Sequence, residues 1–95
     1  MSMTLAELVG QLDKYDDEYT IFVDRKNGIS PDSIVVVAEI DEDDNVPDEA
    51  QGLSEFMDVW HAIDVIKGKA SLIGVANPSN ETKVKLLIEY AVNGA

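Results

Sequence analysis

The chain has 95 residues, 45% of them apolar, no cysteine, and 19 acidic against 7 basic side chains, for a net charge of −12. This length and apolar content suit one domain, 1–95, with its own core, and exclude the sparse hydrophobicity of a disordered chain. The missing cysteines exclude disulfides, thiolate nucleophiles and the usual structural zinc sites, and the charge argues against direct binding of nucleic acid or an anionic membrane.

At the N-terminus, Thr4 stands three residues before Glu7. That is a capping box, in which each side chain satisfies an orphaned backbone donor of the other. Leu5, Leu8, Val9 and Leu12 follow at helical spacing, so the pattern predicts a helix from Leu5 to Lys14, weakened slightly by Gly10. "YTIFVD", 19–24, is rich in β-branched and aromatic residues and reads as a strand. Asn27-Gly28 and Pro31-Asp32 are turn signals. "SIVVVAEI", 33–40, is a near-continuous apolar run, expected to be a central strand covered on both faces and paired antiparallel with the first.

A long loop is expected from Asp41 to Gly52. The stretch "LSEFMDVWHAIDVIKG", 53–68, has two readings. Leu53, Phe56, Met57, Trp60, Ile63 and Ile66 recur at the spacing of one amphipathic helix. Alternatively, a short strand from Ser54 to Met57 precedes a helix capped by Asp58 that packs Val59, Ile63, Ile66 and Ala70. "NPSN", 77–80, leads into a last helix capped by Ser79 or Asn80, with Val84, Leu87, Ile88 and Ala91 as its buried stripe and an end near Asn93-Gly94. The resulting class is α+β: a small antiparallel sheet of two or three strands with helices on one face, in the order α-β-β-(β)-α-α.

Charge is unevenly distributed. Residues 1–52 carry 14 acids and 3 bases, and residues 53–95 carry 5 acids and 4 bases. The acids concentrate in "EIDEDDNVPDE", 39–49, where Glu39, Asp41, Glu42, Asp43, Asp44, Asp48 and Glu49 face no basic residue in the run. Asp41, Asp43 and Asn45 match the first, third and fifth ligand positions of an EF-hand. The match then fails at Val46, where a glycine is needed, and at Gly52, where a bidentate glutamate is needed, so no dedicated metal site is expected. His61 lies three residues before Asp64, within reach on a helix face, yet no nucleophile elbow, second histidine or phosphate loop accompanies it; it reads as a partly buried helix residue. No convergent catalytic set appears, and neither an enzyme nor a cofactor is expected. Trp60, Phe56 and Met57 could anchor a partner, although core packing is the favoured reading for a small domain.

The layout "DEYTIFVDRKNGISPDSIVVV", then "DEDDNVPDEAQGL", "FMDVWHAIDVI" and "NPSNETKVKLLIEYAVNGA", resembles a family of small, acidic bacterial proteins with a domain of unassigned function. It is also similar in size and charge to immunity proteins and to phage inhibitors that mimic DNA. The resemblance implies an α+β fold in a bacterial or phage setting, and favours the strand-then-helix reading of 53–68. It assigns no role to individual residues. With no apolar run near the roughly 18 residues of a membrane span and no leader-like start, a soluble, cytoplasmic protein is expected. The functional expectation is a non-enzymatic inhibitor whose partner is a basic protein, such as a toxin or defence nuclease, met by Glu39, Asp41, Glu42, Asp43, Asp44, Asp48 and Glu49. Asp16, Asp17 and Glu18 are further candidates, and oligomeric state is left open. The alternative is an accessory domain that self-associates or binds through an apolar surface around Phe56 and Trp60, the acidic loop serving only solubility.

Overall fold

The computed structural model describes residues 3–26, 28–40 and 48–93, with Glu49 described by its backbone alone. A two-residue strand β1 (Met3–Thr4) runs directly into helix α1 (Leu5–Val9). Strands β2 (Thr20–Val23), β3 (Ile34–Ala38) and β4 (Ser54–Asp58) follow, and then helices α2 (Val59–Leu72) and α3 (Asn80–Asn93). All strand pairings are antiparallel, and the sheet order is β1-β3-β2-β4. The class is α+β as the sequence implies, with four strands instead of two or three.

The additional strand, β1, is too short to leave a periodic signal. It consists of the residues that start α1, so Thr4 both pairs with Ile34 and caps the helix. The capping box forms as the spacing predicts: the Glu7 amide donates to Thr4 Oγ1 at 3.3 Å, and the Thr4 amide donates to Glu7 Oε1 at 3.0 Å. The first helix is shorter than the sequence pattern suggests, ending at Val9 rather than Lys14. Gln11 N–H donates to the Leu8 carbonyl, three residues back, which tightens the chain out of α-geometry, and a 3₁₀ turn (Leu12–Lys14) returns Leu12 to the core. Where the helix stops, the chain runs close to the start of α3: a Cβ on Gly10 would lie 2.7 Å from Asn80 Nδ2, so the position suits a glycine.

Each face of the sheet is covered differently. On the helical face, Ile21, Val23, Val35 and Met57 pack with Leu5, Leu8, Val9 and Leu12, with Val59, Ala62, Val65 and Ile66 of α2, and with Val84 and Leu87 of α3. The opposite face carries a smaller cluster of Phe22, Ala38 and Ala50, backed by Val36, Ile40 and Leu53. Ala50 belongs to a 3₁₀ turn (Asp48–Ala50) that brings the described end of the β3–β4 connection against the strands. β2 is buried along its whole length. β3 is covered less completely than its apolar run implies: Val35 and Ala38 are buried, Val36 and Val37 are half-buried, and Ile34 is exposed although β1 pairs with it.

Segment 53–68 is strand then helix, the second of the two readings that its periodicity allows. β4 bonds to β2 through a register shift between Ile21 and Phe22: Met57 faces Ile21 while Glu55 faces Phe22, leaving Phe56 as the extra residue of a bulge. Asp58 occupies the N-cap of α2, but its side chain does not cap. At α3, Ser79 Oγ accepts the Thr82 amide at 3.3 Å, which makes Ser79 the cap. No helix among the described residues is long and apolar enough to cross a membrane.

Candidate functional site

The strand register decides where the acids converge. Thr20, the first residue of β2, faces both Ala38, the last of β3, and Asp58, the last of β4. One end of the sheet therefore receives the lead into β2, with Asp16, Asp17 and Glu18, the exit from β3, with Glu39, and Asp58 itself. Asp16, Asp17, Glu18 and Glu39 are all exposed. Asp41, Glu42, Asp43 and Asp44 continue the chain from this end but lie outside the described residues, as do Asn45 and Val46 of the EF-hand comparison. Asp48 is exposed at the start of the 3₁₀ turn over the second face of the sheet, and Glu49 follows it in the same turn. Arg25 and Lys26 come after Val23, at the opposite end of β2.

Local hydrogen bonds hold this end in place. Glu18 N–H donates to Asp16 Oδ1 at 3.0 Å, closing a turn that an aspartate stabilises through its own side chain. Two of the first amides of α2, which a helix start leaves without intrahelical partners, reach back to the same segment: Val59 N–H donates to the Tyr19 carbonyl at 2.9 Å, and Trp60 N–H to the Asp17 carbonyl at 3.0 Å. The acidic turn is thus stapled to the helix that carries the tryptophan.

Trp60 is 51% exposed, so the core position that small-domain packing favours for it is corrected. Its indole N–H donates to Asp58 Oδ2 at 3.3 Å, and Asp58 Oδ1 accepts from the Thr20 hydroxyl at 3.1 Å. Trp60 stacks on His61, with ring centroids 5.3 Å apart, and His61 meets the edge of Tyr90 on α3 at 5.5 Å. His61 is half-buried, as expected, but its hydrogen bond joins Nε2 to the Tyr90 hydroxyl at 3.1 Å and not to Asp64. That geometry suits an inter-helix tie, and among the described residues no carboxylate is hydrogen-bonded to the imidazole. Phe56 is half-buried and lines a small pocket of about 180 Å3 together with Arg25, Met57, His61 and Tyr90. Among the described residues, no group of three or more His, Asp or Glu side chains is placed to hold a metal ion.

Two features of this surface were not expected from the sequence: the exposure of Trp60 and the part played by Tyr90. Of the seven acids in the 39–49 run, the structure places Glu39 at the sheet end and Asp48 on the neighbouring turn. No family model matches the chain, and neither a curated protein nor a solved structure does.

Proposed function

We propose that the protein is a non-enzymatic acidic binding protein that occludes the basic, nucleic-acid-binding surface of a target such as a toxin or defence nuclease. The observation that carries this reading is the exposed tryptophan set among converging acids at one end of the sheet. Carboxylates steer a basic partner into contact and hold its lysines and arginines, but alone they give a soft, salt-sensitive association. An indole beside them supplies the aromatic anchor that dominates binding interfaces, and its face accepts a cation directly. Glu39, Asp41, Glu42, Asp43, Asp44, Asp48 and Glu49 are the proposed contacts, with Asp16, Asp17 and Glu18 beside Trp60. Blocking would be steric and electrostatic, with no chemistry on the partner.

The test begins with immobilised protein exposed to bacterial lysate at low and high salt, with bound proteins identified by mass spectrometry. A basic nuclease captured at low salt, released at high salt and inhibited in a cleavage assay is the expected outcome. Replacing Asp41, Glu42, Asp43 and Asp44 with Asn or Gln should weaken that inhibition and flatten its salt dependence while the fold survives. Full inhibition by the neutralised variant would sink the proposal.

The exposure of Trp60 also favours a second reading, an accessory domain that self-associates or binds a partner through the apolar surface around Phe56 and Trp60. Association of that kind is insensitive to salt, so the same low-salt and high-salt comparison separates the two.

A further inference from the structure

Where the turn after α1, the middle and end of α2 and the segment leading into α3 meet, the surface opens into a groove of about 840 Å3. Val9, Leu12, Ile63, Ile66, Ala70 and Val75 give it an apolar lining. The volume falls in the range of roughly 300–1,000 Å3 typical of small-molecule sites, which combine apolar walls with a few placed polar groups. The charged groups along it are Lys67 on α2, Lys83 on α3, and Asp13. In a chain of net charge −12, the lining of this groove carries two lysines against one aspartate.

Neither lysine has an ion-pair partner among the described residues, whereas Lys69 faces Glu89 at 4.0 Å. Lys67 lies nine residues along from Asp58, about 13 Å at the helical rise of ~1.5 Å per residue, and so beyond the ~8 Å screening length of physiological salt. The field of the acidic sheet end therefore does not cancel that of the lysine.

We propose that the groove binds a free anionic amphiphile, a medium-chain carboxylate whose acyl chain lies along the apolar lining while its head group meets Lys67 and Lys83. Charge complementarity selects the anion, and the lining selects the chain. Repulsion by the net charge grows with the number of charges brought within the screening length, so it opposes a second copy of this chain or an anionic bilayer far more than a single carboxylate held beside two lysines. The site is separate from the acidic sheet end and stands whether or not that end binds a nuclease.

The experiment is an amide NMR titration of the full chain with octanoate, decanoate and dodecanoate, each kept below its micellar concentration. Saturable shifts confined to 9–13, 63–78 and 83 are expected, with affinity rising about fourfold for each added methylene. A Lys67→Gln, Lys83→Gln double variant should bind decanoate at least ~10-fold more weakly, the loss of two charge-assisted contacts, and bind uncharged decanol as the parent does. Lys67 is exposed and Lys83 half-buried, and the thermal midpoint of the variant checks that it folds; the chain-length series on the parent tests the groove independently. The proposal is overturned by non-saturable binding, by shifts centred on Trp60, by affinity indifferent to chain length, or by full affinity in the double variant. Groove resonances that move with protein concentration alone, with a dimer mass in sedimentation, would assign the surface to a second copy and overturn it as well.

Discussion

Trp60 and Leu87 are both large apolar side chains on helices, yet they stand in opposite relation to the core. Leu87 is fully buried, while Trp60 is half in solvent and tethered through its indole N–H to Asp58. Leu87→Ala should therefore cost ~2–5 kcal/mol, enough to threaten folding of a small domain, whereas Trp60→Ala should cost only about 1–2 kcal/mol. Urea unfolding followed by far-ultraviolet circular dichroism checks both, since the chain has one tryptophan and its fluorescence is lost in the second variant. A loss of several kcal/mol at Trp60 would mean that the ring is a packing element and would weaken its role as an anchor. The exposure of this residue was hard to read because its periodicity is ambiguous. Counted from Leu53 as one helix, Trp60 falls in line with Phe56, Met57 and Ile63; once β4 takes 54–58, the buried stripe becomes Val59, Ala62, Val65, Ile66 and Ala70, and Trp60 drops to its flank.

Among the elements, two glycines with open space around them make opposite predictions. Gly68 lies inside α2 with no atom within 4 Å of an added Cβ, so Gly68→Ala should stabilise the protein by roughly 0.5–1 kcal/mol through the lower entropy of the unfolded chain. Gly52, equally uncrowded, turns the chain into β4 with φ +83°, and Gly52→Ala should cost about 1–2 kcal/mol because a Cβ is strained in that conformation. Thermal melts of the two variants, shifted in opposite directions, are the expected result; a shared direction would show that backbone conformation does not govern these sites. Elements with a mechanism behind their signal were legible from the residues: the Thr4–Glu7 capping box, the antiparallel β2–β3 pair and the start of α3 at Ser79. What remained hidden depends on contacts between distant segments. The close approach of Asn80 to Gly10 joins residues seventy positions apart, and β1 exists only because Ile34 and Val35 are there to pair with it.

Across the molecule, charge and fold oppose one another. The 14 acids of residues 1–52 stand against 3 bases, and several of them meet at one end of the sheet. Their mutual repulsion destabilises the folded state and is screened by salt, so the thermal midpoint should climb as sodium chloride is raised from ~20 mM to ~500 mM, a range over which the Debye length falls several-fold. A flat or falling midpoint would show that the acids are too far apart in the folded chain to crowd each other. The bulge at Phe56 has its own consequence at this scale. β4 is the last strand of the sheet, and among the described residues nothing pairs with its outer side. A straight strand in that position would offer each molecule a template for adding the next, the route by which small β-containing proteins grow into fibrils. An unpaired residue bends and twists the strand, and the carboxylate of Glu55 next to it discourages a like-charged copy. The irregularity that spoils the alternation of β4 thus also makes this edge of the sheet a poorer template for a further copy.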